Sequence, residues 1–168
     1  MTLTQLNSLS CDEFVRIVGP VFEHSPWIAE ETWPKRPFGS VEQLHQALTE
    51  TVRNAGEAQQ LALIRAHPDL VGRAALAGTL TRESTGEQVG AGLGKLTLEE
   101  IETFQKSNKA YRDKFGFPFV ICARLNKKEA ILKGFERRLA GSREQEIKTA
   151  LEEIFKIAEL RLRDLISD

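Results

Sequence analysis

The strongest constraint on this chain's fold is a short motif that recurs along it. A Ser, Thr or Asn is followed three residues later by Glu or Gln at Ser10/Glu13, Ser40/Gln43, Ser84/Glu87, Thr97/Glu100, Asn126/Glu129 and Ser142/Gln145. In such a capping box the two side chains satisfy the free N–H groups that every helix start exposes. Ser25-Pro26 adds a cap followed by proline at the first helical position. Most of these starts precede apolar residues at three- and four-residue spacing, as in Phe14, Ile17, Val18 and Val21, or Leu44, Leu48 and Val52. That is the period of an amphipathic helix. Stop signals stand at Gly19-Pro20, Gly56, His67-Pro68, Gly116 and Gly141. No alternating strand pattern of useful length occurs. The apolar run 117–123, "FPFVICA", opens with a proline and has no evident strand partner, so it reads as a buried, extended or irregular connection. The expectation is an all-α, single-domain bundle of about eight helices over residues 1–168, with no repeat, low-complexity tract or linker.

Composition narrows the function classes. The 168 residues are 41% hydrophobic and 28% charged, enough for a real core in one domain. The net charge of −1 argues against nucleic acid or an anionic membrane as partner. No apolar stretch approaches the ~20 residues that span a bilayer. The opening "MTLTQLNSLS" has no secretory pattern, and the closing "LISD" is no peroxisomal address. Cys11 and Cys122 are far apart without metal-ligand spacing, and read as reduced packing residues of a cytoplasmic protein.

Three places can carry chemistry. His67 precedes Pro68, and a residue before proline is pushed out of the α region, so the helix through Leu61, Ile64 and Arg65 should stop there. The imidazole is then either a helix-stop side chain or a proton carrier that titrates near neutrality. His24, beside a cap, reads as a capping or packing residue, and His45 as surface or boundary. The three have no metal-ligand spacing, so no metal is expected. "LTRESTGEQVGAGL", residues 80–93, is explained by the Ser84/Glu87 box. It equally reads as a helix N-terminus whose N–H donors, with the Gln88 amide, would favour an anionic or carbonyl-bearing ligand. On the last helix, from about Arg143 to Ile166, Ile147, Ala150, Leu151, Ile154, Ala158 and Leu165 set the apolar face. At ~100° per residue Arg161 falls on that face and Arg163 points to solvent. A buried guanidinium must meet a carboxylate, carbonyls or an anionic ligand. Trp27, Trp33, Phe104, Tyr111 and Phe115 read as core.

Several stretches together resemble one family: "FEHSPWIAEETW" (22–33), "HPDLVGRAA" (67–75), "LTRESTGEQVGAGL" (80–93), "NKAYRDKFGFPFVICAR" (108–124) and "AELRLRDL" (158–165). In this order they are similar to the OHCU decarboxylases, which act on 2-oxo-4-hydroxy-4-carboxy-5-ureidoimidazoline in urate breakdown. Val71 and Arg73 stand where smaller or lysine residues are expected, and Ser107 where leucine is common. The resemblance implies a helical homodimer without metal or organic cofactor. It implies that His67 is catalytic, and that Pro68, Ser84, Thr85, Gly86, Glu87, Gln88, Phe119, Val120, Ile121, Cys122, Ala123 and Arg161 line the substrate site. Pro68 would then stand the imidazole in a cavity, with the 119–123 backbone as one wall. His67 would move a proton, Glu87 would pair with it or bond ureido N–H groups, and Arg161 would grip a ring or ureido oxygen. The product would be (S)-allantoin.

Two other readings compete on the residues alone. A binding module could use the same hollow to sense a ureide, or a scaffold subunit could hold Arg161 and Glu87 as an internal ion pair.

Overall fold

A computed structural model describes residues 1–72, 75 and 78–167. Nine α-helices occur among the described residues, and no strand. They are α1 (Leu3–Asn7), α2 (Cys11–Val18), α3 (Trp27–Thr32), α4 (Val41–Asn54), α5 (Glu57–Ala66), α6 (Arg82–Gly90), α7 (Leu98–Phe115), α8 (Lys128–Leu139) and α9 (Arg143–Leu165). The all-α expectation holds. The chain groups into two compact units, Met1–Ala66 with Phe155–Asp168, and His67–Ile154.

Three capping boxes form as the sequence requires. The Ser10 and Glu13, Thr97 and Glu100, and Ser142 and Gln145 pairs each exchange both backbone-to-side-chain bonds. At Ser40 the hydroxyl accepts the Gln43 N–H, but the Gln43 amide reaches one residue further back, to the Gly39 N–H. A further box, absent from the sequence reading, forms at Thr2/Gln5.

Three expected starts are corrected. α6 begins at Arg82, capped by Thr81, whose Oγ1 accepts the Ser84 N–H at 3.2 Å. Ser84 therefore lies in the first turn and Glu87 in the helix interior. Thr81 went unnoticed because its third following residue is Ser84, which leaves no box signature. α8 is capped by Lys127, because the Asn126 amide turns back to the Cys122 carbonyl at 2.9 Å. At α3 the cap is Pro26, and the Ser25 hydroxyl donates to the Glu23 carbonyl at 2.8 Å.

In the first unit Leu6, Phe14, Val18, Ile28, Leu44, Leu48 and Val52 are fully buried, whereas Trp27 and Trp33 are only half-buried. The Trp33 indole donates to the Leu9 carbonyl and the Arg36 guanidinium lies over its ring at 4.0 Å. In the second unit the core is aromatic. Phe119 stacks on Phe135 at 3.9 Å and meets Tyr111 edge-on at 5.3 Å, an arrangement that ring quadrupoles favour. α7 ends where Gly116 takes a left-handed φ of 79°, which costs glycine nothing. The chain then runs through 117–122 without regular structure, every residue buried, before a 3₁₀ turn at Ala123–Leu125. The sequence reading of "FPFVICA" as a buried irregular connection is correct.

Candidate active site

The second unit opens with the candidate proton carrier. α5 ends at Ala66 and His67 is the next residue, buried at 6% exposure, with Pro68 preventing further helix. The next residues are held tightly. The Gln88 Oε1 accepts the Val71 N–H at 3.1 Å, and its Nε2 donates to the Asp69 carbonyl at 3.4 Å. Asn108 of α7 donates to the Leu70 carbonyl at 2.8 Å, and Arg112 pairs with the Asp69 carboxylate at 2.8 Å. Such fastening is needed because Val71 has a φ of 54°. A β-branched residue in the left-handed region is strained by roughly 1–3 kcal/mol. A Cβ on Gly72 would lie 2.6 Å from that of Asp69, so the bend leaves no room for a side chain there. The expected substitution site Arg73 lies outside the described residues.

α6 joins this bend to the irregular connection. Ser84 and Gln88, four residues apart, face the interior, Glu87 is half-buried on their flank, and Thr85 and Gly86 are exposed. The helix start expected within 80–93 is present, at Arg82 rather than beside Ser84, and the Ser84 N–H is already bonded to the Thr81 Oγ1. What the segment offers is side chains. Glu87 lies close enough to Cys122 to raise its thiol pKa. Burial is the leading cause of that rise, with the nearby Glu153 carboxylate also contributing. The thiol therefore stays protonated at neutral pH.

The connection has its own polar pattern. The Arg138 guanidinium takes the Val120 carbonyl, and the Cys122 N–H donates to the Glu153 Oε1 at 3.4 Å. The Cys122 carbonyl is used by Asn126 and the Leu125 N–H. Ile121, 7% exposed, has no hydrogen bond at its N–H or its C=O among the described residues, and the same holds for Phe117 and Phe119 in this connection. Buried backbone groups are nearly always bonded, so a pair left open is a natural docking edge for a ligand. The Phe119 ring faces the aromatic core and Ala123 opens the 3₁₀ turn, so these two bound the edge.

A separate cavity of about 320 Å³ is lined by Val71, Leu80, Thr85, Gln88, Leu93 and Ile101, among others. It gathers Thr85 and Gln88 of the expected set, but not His67, Glu87 or residues 119–123.

Arg161 belongs to the first unit. It is buried on the core face, as its helical position requires, and Arg163 is exposed. The Arg161 guanidinium meets the Glu23 carboxylate at 2.8 Å and the carbonyls of Pro20 and Val21 at 3.2 and 3.4 Å. His24 neither caps nor packs: its ring is 70% exposed and its φ is 45°. His45 is half-buried, in keeping with the boundary reading, and its Nε2 bonds the Phe155 carbonyl at 2.8 Å.

Sequence reasoning passed over Glu23, Asn108, Arg138, Glu146 and Glu153, all buried. A signal was available for two of them. Glu146 and Glu153 sit seven residues apart on α9, on the stripe that carries Ala150 and Ile154.

The OHCU decarboxylase family model matches residues 7–163. The chain is 44% identical to 2-oxo-4-hydroxy-4-carboxy-5-ureidoimidazoline decarboxylase of Halalkalicoccus jeotgali over 98% of this chain and 92% of that protein. It is also 44% identical to the protein of the same name from Haloferax volcanii, over 99% of this chain and 97% of that one. A crystal structure of (S)-allantoin synthase superimposes with a TM-score of 0.80 at 31% identity, covering 99% of this chain and 54% of that one. The chain belongs to the OHCU decarboxylase family.

Proposed function

We propose that this protein decarboxylates 2-oxo-4-hydroxy-4-carboxy-5-ureidoimidazoline to (S)-allantoin in urate breakdown, with His67 as the acid–base group. The 1–168 chain works as one decarboxylase domain, in the cytoplasm, as a homodimer. The observation that carries the site is the junction made by α6. Its Gln88 fastens the bend that follows His67-Pro68, and the helix packs against the 3₁₀ turn Ala123–Leu125 that follows the Ile121 edge.

The chemistry suits such a site. The substrate carbon that bears the carboxylate also bears a hydroxyl, and the neighbouring ring carbon belongs to a C=N bond. When the C–C bond to the carboxylate breaks, its electron pair flows into that C=N group, so the substrate carries its own sink. The protein supplies orientation, charge placement and one proton. His67 takes the hydroxyl proton or returns a proton to carbon from one face, and a single donor on one side of a flat ring sets the S configuration. The Ile121 N–H and C=O match the adjacent C=O and N–H of a ureide. Glu87 holds ureido N–H groups or pairs with His67. Ser84, Thr85, Gly86, Gln88, Pro68, Phe119, Val120, Cys122 and Ala123 frame the ligand. Arg161 keeps its binding role on the sequence resemblance.

The test is to add the protein to freshly generated substrate and follow optical rotation. Dextrorotatory or levorotatory signal of one sign should build up faster than spontaneous decay allows. Racemic allantoin at the spontaneous rate would transfer support to the ureide-sensing reading.

A further inference from the structure

The decarboxylase reading leaves open what aims the Ile121 edge, and the answer lies in two charged side chains outside the expected site. We propose that Arg138 and Glu153 are positioning residues that present the Ile121 N–H and C=O to the ureide. This inference rests on the function proposed above.

In the planar trans peptide, the carbonyl of one residue and the N–H of the next point in opposite directions. Arg138 draws the Val120 carbonyl towards α8. The Ile121 N–H, on the same peptide plane, must then point away from α8. Glu153 accepts the Cys122 N–H, and this directs the Ile121 carbonyl away from Glu153. Two holds on flanking groups thus orient both open groups of one residue, without Arg138 or Glu153 itself touching the ligand.

Arg138 is itself held on every side. Its Nε donates to the Glu146 Oε1 at 2.7 Å, its Nη2 meets the Tyr111 hydroxyl at 3.4 Å, and its guanidinium covers the Phe119 ring at 4.3 Å. The Tyr111 hydroxyl donates to the same Glu146 oxygen at 2.6 Å. Burial and the bond to Glu146 raise the phenol's pKa, so it remains a donor. A buried ion pair is weak support for stability, since apolar residues of similar volume often serve as well. A rigid fork of donors, by contrast, is something only arginine supplies.

The pair also borders an open hollow of about 430 Å³ with Arg137, Gln145 and Lys148. Arg138→Lys retains the charge beside Glu146 while losing the fork. Its KM for the substrate, and its inhibition constant for (S)-allantoin, should both rise about tenfold with kcat little changed, the scale of one or two lost hydrogen bonds. Tyr111→Phe, a milder loosening, should raise KM by about two- to threefold, since it removes one bond to Glu146. Wild-type KM and inhibition constants in both folded variants, with only a lower Tm, would overturn the proposal. The Val120 carbonyl ¹³C resonance, which reports its hydrogen bond, should move in Arg138→Lys whether or not the wild type turns over. An unmoved resonance overturns the positioning claim, whereas an inactive wild type with a moved resonance counts only against the decarboxylase reading.

Discussion

At the residue scale, Gln88 shows how one side chain can hold the backbone that follows the candidate proton carrier. Its amide bonds the backbone on both sides of Leu70, just beyond the His67-Pro68 stop. Gln88→Ala would leave the buried Val71 N–H without its acceptor, at a cost of about 1–3 kcal/mol. It would also release a strained residue from its hold. Denaturant unfolding should therefore show a loss in that range, and activity should fall with it. Cys122 offers a second check. With its thiol pKa raised by burial and by Glu153 and Glu87, it should alkylate far more slowly at neutral pH than an ordinary exposed thiol. Mass spectrometry after a timed iodoacetamide pulse would measure this, and Glu87→Gln should speed the reaction. Such long-range partners were not legible in the sequence. Glu23 and Arg161 are separated by 138 positions, and nothing local to either names the other. Helical spacing could say only that Arg161 is buried and must find a counter-charge.

At the scale of elements, local chemistry was readable wherever a few adjacent residues decide the outcome. Pro68 ends α5 and Gly116 ends α7 because dihedral sterics leave no alternative. The same reasoning failed at α6, where the Ser84/Glu87 box is real as a pattern but Thr81 captures the Ser84 N–H first. Thr81→Ala should accordingly cost roughly 0.5–2 kcal/mol through the lost cap. The Thr97 box has a further role, since Glu100 also pairs with Lys128 and so ties the start of α7 to the start of α8. The Lys128 ammonium, together with the Thr97 N–H, holds the Glu100 carboxyl below the usual range. A depressed folded pKa means stability that is complete above the unfolded value and lost as pH falls through the folded one. The stability difference between wild type and Glu100→Gln should therefore be present at neutral pH and vanish in acid. A difference that persists unchanged into strong acid would show that the carboxylate charge is not its source.

For the whole molecule, the helical class followed from periodicity and caps, while the division into two compact units did not, because α9 continues through Ile154 and Phe155 without any break in its pattern. Arg161 tests how far the resemblance carries. Its guanidinium already has a carboxylate and two carbonyls within its own unit. If it also binds substrate, Arg161→Lys should raise KM by about tenfold, because an ammonium cannot reproduce the forked contact. A lowered Tm with unchanged KM would make it purely structural. The proposed homodimer is checked by sedimentation equilibrium, which should give twice the mass of one chain.

The central claim is that a single imidazole, set in place by the proline after it, delivers the proton that makes this reaction fast and one-handed. The most direct measurement is the initial rate of optically active allantoin formation by wild type and by His67→Ala, on freshly generated substrate, with both proteins shown to be folded. His67→Ala should lose about 10²–10⁴ in kcat, the usual worth of a general acid–base group. A His67→Ala protein that makes (S)-allantoin at the wild-type rate would contradict it.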